Sequence, residues 1–369
     1  MPLARLFLCL FTLCLGVTAQ AAPPIRVLLD EVADSLTVTM TGAHRGYIDG
    51  VERFSTPYGL HWPLQVAGSQ LYIEGEPVGN SFTLEPTDGA LVSWAGQNYR
   101  GALRFTATDR NLRVINVVDL ETYLRGVVPA EMQASWDLEA LKAQAVAART
   151  YTLASLDEDG TYDVCATIEC QKYDGVTIEH PRSDQAIVET AGVVLTYGGD
   201  FAKTYYHADS GGVLASSSEV WGNASPYLVA QQDVDSSSPH RGWERALDAS
   251  FIASSLQGRG IGVGEVSGVR VVGYSESGRV ESLEVLGSDG SRLLSGPKLT
   301  KMLREWGLKS TRFRMSGDLS VQGDGWGHGV GMSQYGARSL ARGGYDYSQI
   351  LGFYYPSTDL QQLPYAQTP

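Results

Sequence analysis

The chain is short of cysteine, of cations and of long apolar runs, and each shortage removes a class of protein. Four cysteines stand in 369 residues, two of them (Cys9 and Cys14) within the first 21, which excludes a disulfide-dense miniature scaffold. Lys and Arg number 28 against 41 Asp and Glu, a net charge of −13, whereas a nucleic-acid binder ordinarily carries a basic patch or stripe. Beyond Val17 no apolar run reaches the ~20 residues that a membrane span needs. There is no Gly-x-Ser-x-Gly elbow and no Gly-Lys-Ser/Thr phosphate loop, and the glycines of Gly323–Gly331 are wrongly spaced for a dinucleotide fold. Internal repeats and low-complexity tracts are missing as well.

The first 21 residues, MPLARLFLCLFTLCLGVTAQA, hold one Arg, an apolar run from Leu6 to Val17 and the small-x-small triplet Ala19-Gln20-Ala21. They read as a cleaved secretory signal. A retained anchor is the rival reading, but the run is short for a span and small residues follow it at once. Neither Cys9 nor Cys14 lies in a lipobox. Cleavage removes only Arg5 among the charged residues, so the mature chain is still more acidic. It is expected to be soluble in an exported compartment (periplasm, cell wall or extracellular space), with no membrane span and no nucleic-acid partner.

Residues 22–110 read as a strand-rich N-terminal subdomain: IRVLLD, SLTVTMTG, PLQVAG, LYIEG, SFTLEP, ALVSWAG, GALRFTA and LRVINVVD recur every eight to twelve residues between turn signals. Residues 111–364 read as a mixed core of helices and antiparallel strands, with 365–369 as a tail. The fold class expected is therefore α+β.

The core opens on LETYLRGVVPAEMQASWDLEALKAQAVAARTY, Leu120 to Tyr151. Leu138, Leu141, Ala145, Ala148 and Thr152 fall on one helical face, and the alanines add helix propensity. Ser135 is the expected N-cap, and Asp137 suits the positive first turn. At 100° per residue Lys142 and Arg149 lie about 20° apart, both beside the apolar stripe, so they are expected to share a half-buried wall. Glu131 sits one turn outside this helix among Val127, Val128, Pro129, Met132 and Trp136. A carboxyl that loses water there keeps its proton toward neutrality and can serve as acid, then base, in glycosidic cleavage. Its alternative role is to cap the helix.

Further on, Ser183 to Glu189 reads as a short helix closed by Gly192, and VVLTY with FAKTYYHA as a hairpin about Gly198–Asp200. The loop His207–Trp221 is rich in Ser and Gly and places Tyr206, His207, Ser210 and Glu219 where binding groups are commonly carried. His207, Asp209 and Ser210 crowd into four residues, which disfavours a hydrolase triad. Asp209, Glu219 and Asp324 are the candidates for the second carboxylate that a retaining glycosidase needs about 5 Å from the first. A second hairpin follows in VRVVGYSESGRVESLEVLG, then a helix over residues 297–306 and a final helix over residues 332–342. In the turn before that helix the glycines allow close backbone approach to a ligand. Trp326 is placed to stack on a sugar, with His328 and Gln334 to bond hydroxyls or acetamido groups; core packing is the alternative for the Trp and His. Cys165 and Cys170, two thiols in an oxidising compartment, point to a small-loop disulfide.

The segment around Glu131 resembles the signature of the SpoIID/LytB family, YL-x-GVVPxEM followed by LEALKAQAVAARTY. VLTYGGDFAKTYYHADSGG with SSSEVWGNASPYL (194–228) and GWGHGVGMSQYGARSLARGGYDYSQILGFYYP (325–356) agree in order and spacing. The resemblance implies an exported lytic transglycosylase acting on peptidoglycan glycan strands, preferably free of stem peptides. In it Glu131 is the single acid and base, Lys142 and Arg149 hold the muramyl carboxylate or polar sugar groups, and Tyr206, His207, Ser210, Trp326, His328 and Gln334 line the glycan. It equally admits a non-catalytic, peptidoglycan-binding enhancer of a cell-wall amidase. Some relatives bind zinc beside the cysteine pair. Here Glu169 precedes Cys170 and no His lies between Glu131 and Cys170, so the disulfide is favoured, with no metal and no cofactor expected.

Overall fold

The computed structural model describes residues 24–364 apart from Ala33, Arg110 and Asp235. The expected signal segment, with Cys9 and Cys14, and the tail lie outside the described residues. No described helix is long and apolar enough to cross a membrane.

The architecture is α+β. A seven-stranded sheet runs in the spatial order Val164–Cys165, Ile25–Val32, Leu112–Val118, Ala102–Ala107, Ser81–Pro86, His44–Ile48 and Val51–Thr56. All neighbours in it are antiparallel except Val164–Cys165, which runs parallel to Ile25–Val32. A six-stranded sheet orders Gln97–Tyr99, Leu91–Trp94, Ser35–Thr41, Leu60–Ala67, Gln70–Ile73 and Glu76–Gly79. Alternation along the strands turns Phe82, Leu84, Leu103 and Phe105 inward to join Val38, Met40, Leu64 and Leu71 in one buried cluster. Trp62 of the second sheet meets Phe54 of the first edge-on, with ring centroids 5.3 Å apart.

Four strands in this half escape the sequence pattern: His44–Ile48, Val51–Thr56, Glu76–Gly79 and Gln97–Tyr99. The last two are short and largely exposed, so they show no apolar alternation.

Helix α1 (Leu120–Glu131) is capped by Asp119, whose side chain accepts from the Thr122 amide. It retains Pro129 near its end, and Glu131 is its last residue. Glu131 is therefore not an outlier ahead of a helix but the C-terminal residue of one. Helix α2 (Leu138–Leu153) follows, with Asp137 rather than Ser135 at the N-cap and no side-chain cap bond. Nearly every position from Ala140 to Thr152 is buried. The Ala run lets neighbours approach on all sides, so this is a central helix rather than an amphipathic surface one. Around it lie α3 (Pro181–Glu189), the strand Val193–Tyr197 and, later in the chain, α7 (Gln334–Arg342) and α8 (Tyr347–Tyr354).

Of the expected first hairpin only Asp200–Phe201 pairs back on Val193–Tyr197. Tyr206–His207 instead runs parallel to Met332–Ser333, pairing Tyr206 with Met332 and His207 with Ser333. The loop after it closes on α4 (Ser217–Trp221), fixed by a capping box between Ser216 and Glu219. Residues 243–321 form a second hydrophobic cluster, in which α5 (Ala249–Gln257) and α6 (Pro297–Glu305) pack with the strands Val266–Tyr274, Val280–Gly287 and Gly290–Ser295. α7 is not the final helix: α8 follows, announced by a capping box between Asp346 and Gln349.

Candidate active site

Glu131 ends α1 half-buried, and both of its oxygens are held by neutral donors. Oε1 accepts from the Lys172 backbone amide at 2.8 Å, and Oε2 from the Gln334 amide nitrogen at 3.3 Å. Gln334 is itself buried and reaches Gln144 Oε1 at 3.4 Å. Lys172 Nζ, whose charge acts on this carboxyl, is paired with Asp174 at 2.9 Å. Burial pushes the Glu131 carboxyl above its ordinary value, and the bonds from Lys172 and Gln334 oppose that rise without cancelling it.

The chain supplies these contacts from far apart. Cys165 and Cys170 are joined by a disulfide, and the loop it closes leads directly into Gln171 and Lys172. Gln171 is buried and locked on both sides: Nε2 donates to Thr152 Oγ1 at 2.7 Å, and Oε1 accepts from the Tyr206 hydroxyl at 2.8 Å. The tether therefore fixes the residue before the amide that meets Glu131. On the other side, Arg182 donates to the carbonyls of Ala134 at 3.1 Å and Trp136 at 2.9 Å, pinning the turn that follows Glu131. Sequence reasoning missed Lys172, Gln144, Gln171 and Arg182. Only Lys172, two residues past the second cysteine, carried any positional signal.

Two of the sequence-predicted cations stand elsewhere. Arg149 is 0% exposed, and its fork is bidentate on Glu121, with both bonds at 2.7 Å. Its remaining donors reach the carbonyls of Val193 at 3.2 Å and Ile187 at 3.4 Å. A guanidinium so enclosed offers no donor to a glycan, and the substrate-binding expectation for it is corrected. Lys142 likewise bridges Glu139 at 2.8 Å and Glu189 at 2.7 Å, tying α2 to α3. Both cations do lie at the edge of the apolar stripe, but carboxylates of this chain occupy them.

The loop after Tyr206 is more buried than a binding loop. Ser210 donates to Asp233 and is 0% exposed. His207 is 5% exposed, with Nδ1 on the Val330 carbonyl. His328 accepts from the Val330 amide at 3.0 Å and also bonds the Tyr206 backbone. Burial drives its pKa down to about 4, so it stays neutral and has no free ring nitrogen for a ligand. The glycines there admit protein rather than ligand: a Cβ on Gly331 (φ +70°) would lie 2.0 Å from the Tyr205 carbonyl, and one on Gly329 (φ +85°) 2.0 Å from the Arg279 guanidinium. Asp209 accepts from Gly211, Glu219 caps α4 and receives the Ser277 amide, and Asp324 receives Gly242. None of the three is in hydrogen-bond contact with Glu131.

Trp326 is different. It is 49% exposed, with Lys309 Nζ 5.3 Å from its ring centroid. A file of rings leads inward from it: Trp326 to His240 at 4.7 Å, His240 to Tyr335 at 5.4 Å and Tyr335 to Trp136 at 4.9 Å. Tyr335 follows Gln334, and Trp136 lies five residues after Glu131. The file thus runs from buried Trp136 to exposed Trp326.

Comparison with known proteins adds to this geometry. Residues 108–197 match the stage II sporulation protein family (SpoIID), and residues 223–331 a domain of unknown function (DUF8618). An uncharacterised protein of Brachyspira hyodysenteriae is 29% identical over 91% of this chain and 92% of its own length. An amidase enhancer of Bacillus subtilis is 30% identical over 84% of this chain, which spans only 51% of that protein. Stage II sporulation protein D of Bacillus subtilis is 30% identical over 66% of this chain and 75% of its own length. With Glu131 inside the matched family segment, the chain belongs to the SpoIID/LytB family.

Proposed function

We propose that the protein has a cell-wall role as a lytic transglycosylase acting on peptidoglycan glycan strands, with Glu131 as its only acid and base. The observation that carries this reading is the setting of that carboxyl: half-buried, raised in pKa by burial, and bonded only to neutral amides. It enters the reaction protonated and gives its proton to the glycosidic oxygen as the bond from that oxygen to the anomeric carbon breaks. The carboxylate left behind takes the proton of the same sugar's C6 hydroxyl. That oxygen then closes on the anomeric carbon, leaving a 1,6-anhydro-muramyl end and consuming no water. The step needs no second carboxylate, which agrees with the other engagements of Asp209, Glu219 and Asp324. The Lys172 amide and Gln334 support the anionic half of the cycle, and Trp326 offers an open ring for a sugar face. Exported localisation and a preference for stem-free strands belong to the same proposal.

A second reading is favoured by one relative's name, amidase enhancer: a glycan-binding partner of a cell-wall amidase that performs no chemistry. Glu131→Gln decides between them, since it keeps the shape and removes the proton. The mature protein is incubated with stem-free glycan strands and the products are read by mass spectrometry. Anhydro ends from the parent chain, reduced at least ~100-fold in the variant, are the expected result. If the parent yields none while both proteins bind glycan and stimulate an amidase alike, the enhancer reading replaces the catalytic one.

A further inference from the structure

A second polar site stands mainly on the strand-rich half, and Glu131 is not among the residues that line it. An open cavity of about 390 Å³ is lined by Ser81, Thr83, Arg104 and Thr106 on one sheet face and closed by Arg26 and Thr161. The register makes the face: Arg104 pairs with Thr83 and Thr106 with Ser81, so the four side chains alternate with the buried Phe82, Leu103 and Phe105 and point the other way. The two arginines are unequal. Arg26 is neutralised by Asp163, which accepts from its backbone amide at 2.8 Å, from Nε at 3.1 Å and from Nη2 at 2.6 Å, while Nη1 donates to the Gly160 carbonyl and Nη2 also to that of Asp157. The Arg104 guanidinium is half-buried and has neither hydrogen bond nor ion pair to any described residue; burial first, and then repulsion from Arg26, disfavours its charge. In a chain of net charge −13, a partly desolvated guanidinium left without a carboxylate is costly unless a ligand supplies the anion.

We propose that this cavity is an anion subsite for a sugar acid, in which the Arg104 fork takes a carboxylate and the hydroxyls of Thr83 and Thr106 take the ring's polar groups, beside Ser81, whose own hydroxyl donates to Asp49 at 3.3 Å. The planar fork matches two carboxylate oxygens. A single uncompensated charge matches a monoanion better than a phosphate dianion, and the volume fits one or two sugar rings. Which glycan carries the acid rests on the cell-wall reading above; the site itself does not depend on Glu131.

The test titrates the mature full-length protein with N-acetylmuramic acid, with N-acetylglucosamine, which lacks the lactyl carboxylate, and with inorganic phosphate, following amide shifts by NMR. We expect shifts centred on residues 81–83 and 104–106, at least tenfold weaker binding of the neutral sugar, and at least tenfold loss in Arg104→Gln. Arg104→Lys recovers only part of it and Thr83→Val loses a few-fold, each with the parental urea midpoint to show an intact fold. Glu131→Gln binds like the parent, so loss of catalysis and loss of this subsite are read separately. Equal binding of the two sugars, or an Arg104→Gln variant that binds as the parent does, overturns the proposal. Phosphate binding more tightly than the sugar acid overturns the carboxylate assignment.

Discussion

Arg149 provides the sharpest test of what burial does to a residue's role. Its guanidinium makes two bonds to Glu121 and two to carbonyls, joining α1, α2, the end of α3 and the strand Val193–Tyr197. Glu121→Gln leaves that charge buried without its counter-ion, a change that costs about 3–5 kcal/mol. At about 4 kcal/mol the folding equilibrium shifts by roughly 10³-fold. Arg149→Lys keeps the charge but loses the fork, and with it at least two of the four bonds. At about 1–1.5 kcal/mol each the loss is about 2–3 kcal/mol. Replacing both residues together, Glu121→Leu with Arg149→Met, removes both charges and should recover most of the deficit. Urea unfolding followed by tryptophan fluorescence measures all of these, beside turnover per folded molecule on stem-free strands. We expect the midpoints to fall and turnover to hold. An Arg149→Lys protein that unfolds with the parent yet turns over more slowly would refute the reasoning and return the fork to the substrate.

Further outcomes follow from Glu131 and the cysteine tether. The proton on Glu131 is lost as pH rises through its raised pKa, so activity should fall on the alkaline side with a limb above the ~4.3 of an ordinary glutamate. The sign for stability agrees: between the unfolded and folded pKa values the native state binds more protons, so stability declines as pH rises through that window. Glu131→Gln escapes this decline, and its advantage in urea midpoint over the parent should widen from pH 4 to pH 7; a constant gap contradicts the assignment. Replacing Cys165 and Cys170 by Ser opens a small loop whose closure stabilises by about 2 kcal/mol. Because that loop aims the Lys172 amide, kcat should drop several-fold with KM little changed, and a variant that loses stability alone would dismiss the positioning role.

The sequence made some of this legible and hid the rest for identifiable reasons. Apolar alternation located eight of the N-terminal strands, since one face of each is buried, but exposed edges such as Glu76–Gly79 carry no such pattern. Helical spacing found α2 and its cations correctly, yet spacing is a property of one helix, and the carboxylates that neutralise Arg149 and Lys142 come partly from α1 and α3. α1 was obscured by Gly126 and Pro129, which its packing tolerates. α8 had a readable signal in Asp346 and Gln349, the two halves of its capping box. The Gly-rich turn gave the right composition and the wrong guest, because φ-permissive residues admit any close neighbour, here Tyr205 and Arg279.

The amide of Gln334 reaches Glu131 across 203 positions of sequence. During synthesis the carboxyl emerges first and meets this companion only after α7 has followed it. A product truncated anywhere before α7 would carry the acid in an unfinished setting, so the site is complete only once α7 has been made.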